Sequence, residues 1–143
     1  MIIGSGIDII EISRIKKACI KWGDSFLKRI FTANEIDYSK QKTSSYQHLA
    51  ARFAAKEAVL KAFGSGWSNR TEWTEIEIWN EESGKPQVKL YKHLKQLKYE
   101  KQVDDIIISL SHTRIYAIAS AILIKKNNSL TVDNKTDEIS CSL

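Results

Sequence analysis

The chain opens on an apolar run, Ile2 to Ile12, whose β-branched residues predict a strand. The period then changes. Ile15, Ala18, Cys19 and Trp22 recur at spacings of three and four, which predicts a helix capped by Ser13, stopped at Gly23 and burying that apolar set. A short helical stretch follows over Phe26 to Ile30, and Thr32-Ala33-Asn34-Glu35 has the form of a capping box that starts another. Lys40 to Ser45 is polar and reads as a loop. Tyr46 to Phe63 is the strongest helix signal, rich in Ala, free of Gly and Pro, and closed by Gly64-Ser65-Gly66.

The second half is strand-rich. Trp73 to Trp79 alternates as a strand, Glu82 to Pro86 is a turn, and Gln87 to Leu90 pairs back as a hairpin. Leu90, Leu94 and Leu97 set the inner face of a Lys-rich helix. Ile106 to Ser111 and Tyr116 to Ile124 are strands joined by His112-Thr113-Arg114-Ile115. Helices and hairpins mix without a βαβ rhythm or an internal repeat, so the fold class is α+β. From Asn127 the composition turns to Ser, Thr, Asn and Asp. The expected organisation is one domain over 1–126 and a poorly ordered polar tail over 127–143.

Composition narrows the class. With 43% hydrophobic and 27% charged residues, the chain is neither fibrous nor disordered. Its net charge is +5; the tail's one lysine and three acids leave it at −2, so the body carries +7. Such a body suits an acidic partner: a phosphate ligand, nucleic acid, an anionic membrane or an acidic protein. Cys19 and Cys141 stand far apart without metal spacing, which fits a reducing compartment. No signal peptide is evident at Met1 to Gly6, and the run Ile115 to Ile124 is too short to span a bilayer. The expected location is the cytoplasm, with no membrane partner.

A few residues break the pattern. Asp8 sits inside Ile7-Asp8-Ile9-Ile10, where a carboxylate needs a cation or an edge position facing water. Glu57 falls on the helix face of Leu49, Phe53 and Leu60; an i,i+4 pair with Lys61 explains it, and so does a cation. Two such carboxylates, leaving positions for water and phosphate, suit Mg²⁺, although nothing local brings them together. The polar cluster Ser109, Ser111, His112, Thr113 and Arg114 fits either a phosphate site or a polar turn. Gly64-Ser65-Gly66 lets a backbone approach a diphosphate or simply ends a helix. Arg14, Lys16, Lys17, Lys21, Lys28 and Arg29 crowd the first helical region, against Asp24 alone. His48 and His93 read as ordinary surface-helix residues, and the lysines from Lys85 to Lys101 as a solubilising face.

Taken in order, Gly6-Ile7-Asp8 with Arg14, Phe31-Thr32-Ala33-Asn34-Glu35, Arg52-Phe53-Ala54-Ala55-Lys56-Glu57-Ala58 with Lys61-Ala62, Gly84-Lys85-Pro86, and Ser109-Leu110-Ser111-His112-Thr113 with Ala117 and Ala119 form a specific set. Over about residues 1–126 this resembles the holo-[acyl-carrier-protein] synthases, the small bacterial type of 4′-phosphopantetheinyl transferase. The resemblance implies an antiparallel sheet packed with helices, assembled as a homotrimer with active sites between subunits. It implies transfer of 4′-phosphopantetheine from coenzyme A to a serine of acyl carrier protein, releasing adenosine 3′,5′-bisphosphate, in support of fatty acid biosynthesis. Asp8 and Glu57 would hold Mg²⁺, Lys61 would face the leaving group, and Gly64 would line the cofactor. Arg52, His112 and Thr113 would lie near the 3′-phosphate. Glu57 is the candidate acceptor of the serine proton, and Glu35 is either catalytic or only a cap. The acidic carrier would dock on Arg14, Lys17, Lys21, Lys28 and Arg29. A small basic RNA-binding module is the alternative, without an RNP-like strand or a GXXG loop to support it.

Overall fold

The computed structural model describes residues 1–64 and 70–127. The polar tail beyond Asn127, and Ser65 and Gly66 of the glycine segment, lie outside them. The order is β1 (Ile2–Glu11), α1 (Ile12–Trp22), α2 (Asp24–Ile30), α3 (Ala33–Lys40), α4 (Ser45–Phe63), β2 (Ile76–Asn80), β3 (Pro86–Leu90), α5 (Lys92–Glu100), β4 (Asp105–His112) and β5 (Tyr116–Ile124). The strands form an antiparallel sheet in the order β1-β5-β4 and a separate β2-β3 hairpin. This is the expected α+β class.

Strict alternation organises the three-stranded sheet. Ala117, Ala119, Ala121 and Leu123 of β5, with Ile106 and Ile108 of β4, are buried beneath α4. Their neighbours along the strands turn outward, so Ile7, Ile9, Tyr116 and Ile118 form an exposed apolar face. Helix α4 sits unusually close to β1. A Cβ built on Gly6 would lie 2.0 Å from the carbonyl oxygen of Ala58, and one on Gly4 would lie 2.3 Å from that of Ala62. Only glycine permits this approach, because the obstacle is helix backbone and cannot swing aside. Gly6→Ala should therefore force strand and helix apart and lower stability by about 1–3 kcal/mol; an unchanged urea midpoint would contradict this packing.

Several local expectations need correction. Ser13 does not cap α1: the helix starts at Ile12, with Glu11 at the N-cap and no side-chain cap bond. Burial of Ile12 and Ile15 and the bond from Ile12 N to Ile115 O (2.8 Å) set the start instead. Trp22 lies outside the core, at 56% exposure. The strand expected from Trp73 begins only at Ile76; Trp73–Glu75 is a 3₁₀ turn whose reciprocal cap joins Glu72 and Glu75. Leu90 belongs to β3, opposite Ile76, rather than to the Lys-rich helix. The capping box at Thr32 and Glu35 forms as expected, and Gly64 ends α4 in the left-handed conformation.

Candidate active site

The site is built around α4. Ala58 and Ala62 face β1. Glu57 and Lys61 project from one flank of the helix, and His48 and Arg52, about half a turn away around the axis, project from the other.

On the first flank, β1 runs past the helix from Gly4 at Ala62 to Gly6 at Ala58. Asp8 pairs in register with Ala119 and is only 16% exposed. Its Oδ1 accepts from Lys61 Nζ at 2.9 Å, and the same ammonium donates to the Ile7 carbonyl at 3.0 Å. The carboxylate in the apolar strand is thus answered by a cation. Glu57 stands one turn before Lys61 and is half-buried. Among the described residues no group of three or more His, Cys, Asp or Glu side chains could cage a metal.

On the second flank, His48, Arg52, Asn80, Ser109 and His112 help line a cleft of about 260 Å³. Arg52 is 2% exposed; its Nη2 donates to Asn80 Oδ1 at 2.7 Å and its guanidinium lies 4.0 Å from the centre of the Tyr38 ring. Its Nε is buried without an acceptor among the described residues. Burial works against the Arg52 charge, and Glu35 works in its favour. The His48 ring lies 6.1 Å from that of His112. His48 is therefore no ordinary surface residue: it is half-buried and faces the cleft, as its position one turn before Arg52 could have signalled.

Thr113 is not among the residues lining that cleft. Its Oγ1 accepts from the amides of Ile115 and Tyr116, closing the β4–β5 turn. At Gly64 the positive φ of 69° accounts for glycine; a Cβ there would meet nothing within 4 Å, so no close backbone approach requires it among the described residues.

Beneath both flanks lies a charged network that composition does not reveal. Lys56 and Glu35 form a fully buried ion pair at 2.6 Å. The ammonium also donates to the carbonyls of Ile30 (2.7 Å) and Trp73 (3.2 Å). Glu35 Oε1 accepts from Thr32 N at 2.9 Å, and its Oε2 from Ile78 N at 3.0 Å. Burial pulls the Lys56 ammonium below its usual range while Glu35 opposes the shift. Glu35 thus joins three parts of the chain.

The basic residues of α1 are not separated from its apolar ones. Arg14, Lys17 and Lys21 line the same groove, about 400 Å³, as Ile15, Trp22 and Phe53. Trp22 stays outside the core because it forms one wall, with Lys21 Nζ 4.8 Å from its ring. Lys28 and Arg29 border a separate depression beside Trp73.

A model of the 4′-phosphopantetheinyl transferase superfamily matches residues 4–119. The chain belongs to that superfamily. The holo-[acyl-carrier-protein] synthase of Solibacter usitatus is 39% identical over 123 residues, covering 86% of this chain and 98% of the relative. The structure of the synthase from Neisseria meningitidis superposes with a TM-score of 0.81 at 32% identity, covering 87% of this chain and all of that one. The Bacillus anthracis synthase in complex with coenzyme A (3′,5′-ADP) gives 0.72 at 34% identity, covering 88% and 99%. The resemblance carried by the ordered motifs is borne out. The RNA-binding alternative finds no support among these relatives. No helix among the described residues is long and apolar enough to cross a membrane.

Proposed function

We propose that this superfamily member is a holo-[acyl-carrier-protein] synthase, with its transferase domain at residues 1–126, acting in the cytoplasm in support of fatty acid biosynthesis. It moves 4′-phosphopantetheine from coenzyme A to a serine of apo acyl carrier protein and releases adenosine 3′,5′-bisphosphate. The observation that carries this reading is Asp8 held against Lys61 on the α4 flank that also bears Glu57, in a chain closely similar to proteins of that name.

The first flank suits a diphosphate. Asp8 and Glu57 offer hard oxygen donors and, with no third acidic or imidazole group beside them among the described residues, fit an ion that completes its shell from water and phosphate. Asp8 and Glu57 would hold Mg²⁺ there, and the ion would supply charge neutralisation to the diphosphate. The serine oxygen bonds to the pantetheine-side phosphorus, the P–O bond to the adenylate side breaks, and the serine proton passes to a base, for which Glu57 is the candidate. Lys61 turns its ammonium from Asp8 toward the leaving phosphate. The second flank suits the 3′-phosphate, with Arg52 and His112 as donors; Thr113 acts there by holding the turn behind His112.

A cofactor reaching both flanks cannot pass through α4, which supports a site shared between copies. The exposed apolar face with Ile7 and Ile9, each 60% exposed, supports association through the sheet, and we propose a homotrimer. The carrier docks by its acidic helix on Arg14, Lys17 and Lys21, with Lys28 and Arg29 extending the field and the Trp22 groove receiving apolar side chains. Arg14→Glu should raise KM for the carrier roughly three- to tenfold and leave that for coenzyme A unchanged; raising salt to about 0.5 M, where the Debye length is about 4 Å, should act in the same direction. Equal effects on both substrates would place the docking surface elsewhere. Chromatography of the nucleotide product tests the activity: 3′,5′-ADP should appear only when apo carrier, coenzyme A and a divalent ion are all present. Its release without carrier would mark a hydrolase instead.

A further inference from the structure

Read as the 3′-phosphate site, the cleft on the second flank uses Arg52 and His112, yet a third ionisable side chain faces the same space. His48 precedes Arg52 by one turn and leaves α4 on the same flank. Its ring lies 6.1 Å from that of His112 and 5.7 Å from that of Tyr38. Tyr38 is overlaid by Arg52 on one approach and by Lys42, 4.8 Å from the ring centre, on another. Every element packed against His48 thus presents a neutral or a cationic group: Tyr38 from α3, Lys42 from the α3–α4 loop, Arg52 from α4 and His112 from β4. Asn80, Gly84 and Pro86 complete the far wall, and among the described residues no carboxylate lines the cleft. Glu35, which acts on Arg52, is already committed to Lys56 and the Ile78 amide.

The cationic groups near the cleft disfavour a further positive charge there until an anion enters. The size also fits: about 260 Å³ falls below the roughly 300–1,000 Å³ of sites that enclose a whole drug-sized ligand, and suits one end of a long cofactor. Burial first, then the charges of Arg52, His112 and Lys42, hold the His48 imidazole below its ordinary range, which favours its neutral form while no anion is present. A phosphate monoester brings a charge of about −1.5 to −2 at that pH and reverses the local field.

We propose that His48 is a third phosphate-facing group of this cleft, and that it takes up one proton from solution when the 3′-phosphate enters, so that the cleft selects the phosphorylated nucleotide. This rests on the cleft being the 3′-phosphate site. The sign follows from linkage. If binding raises the affinity of His48 for a proton, the complex holds more protons than the free enzyme, and phosphate binding weakens as pH rises, by up to about tenfold per pH unit per proton. A ligand without the 3′-phosphate gains nothing from this.

Calorimetric titration of the full-length enzyme with 3′,5′-ADP and with 5′-AMP tests it, at about pH 6.5 and 8 and in two buffers of different ionisation enthalpy. The wild type should take up protons on binding 3′,5′-ADP, and its preference over 5′-AMP should fall several-fold between the two pH values. His48→Gln should take up fewer protons and lose at least half of that pH dependence. In the wild type, imidazole NMR titration of the three histidines gives the same answer without relying on a variant: 3′,5′-ADP should raise the His48 midpoint by a pH unit or more and leave that of His93 in place. A His48 that does not move, or a His48→Gln enzyme with unchanged uptake and slope, overturns the proposal while a preference for 3′,5′-ADP keeps the phosphate reading. No preference for 3′,5′-ADP at either pH sinks both.

Discussion

Asp8→Ala and Glu57→Ala should each lower turnover by on the order of 10²–10³-fold, since each removes a charge aimed at the developing transition state. Stability should hardly follow. The Asp8 carboxylate pairs with a lysine whose side chain is 52% exposed, and an ion pair open to water on one side contributes about 1 kcal/mol or less. The Asp8→Ala variant should therefore unfold near the wild-type midpoint while failing to turn over. Most of the activity surviving in either variant at saturating Mg²⁺ would remove that residue from the site. A collapse of stability matching the loss of activity would make its role structural.

The reverse pattern is expected at Glu35 and Lys56. Both side chains are fully buried, and the ammonium has three partners. Removing one member strands the other charge away from water, which costs about 3–5 kcal/mol. That is a large part of the roughly 5–15 kcal/mol that holds a domain of this size together. Lys56→Ala or Glu35→Ala should therefore lower the urea midpoint more than any other single change discussed, and Lys56→Met with Glu35→Leu together should recover much of the loss. Turnover of whatever remains folded should be nearly normal. A mild effect on stability with a large effect on turnover would return Glu35 to the catalytic machinery.

How much of this was legible in advance depended on range. The capping box at Thr32 and Glu35 is written within four residues, and it formed as read. The other oxygen of Glu35, which accepts from Ile78, and the Ile30 and Trp73 carbonyls that hold Lys56 belong to distant segments, and no periodicity points to them. Asp8 stood out as an acid in an apolar strand, but its partner Lys61 lies 53 residues away. Trp22 departs from its expected burial because helical spacing assigns a residue to a face without telling whether that face meets the core or a groove. The setting of His48 is hidden from the sequence for a related reason: its neighbours His112 and Tyr38 come from β4 and α3, and only the fold brings them to it. The strand assigned from Trp73 failed on side-chain chemistry, because the reciprocal cap of Glu72 and Glu75 stabilises a turn where alternation suggests an extended chain.

The most direct test of the transferase is the intact mass of the carrier. Apo acyl carrier protein incubated with the enzyme, coenzyme A and Mg²⁺ should gain the mass of one phosphopantetheine, and fragmentation should place it on a single serine. Carrier lacking that serine should keep its mass unchanged, and enzyme carrying Asp8→Ala should leave the carrier largely unmodified over the time in which the wild type completes the reaction. A wild-type enzyme that adds no phosphopantetheine to any apo carrier, whatever divalent ion is supplied, would contradict the account.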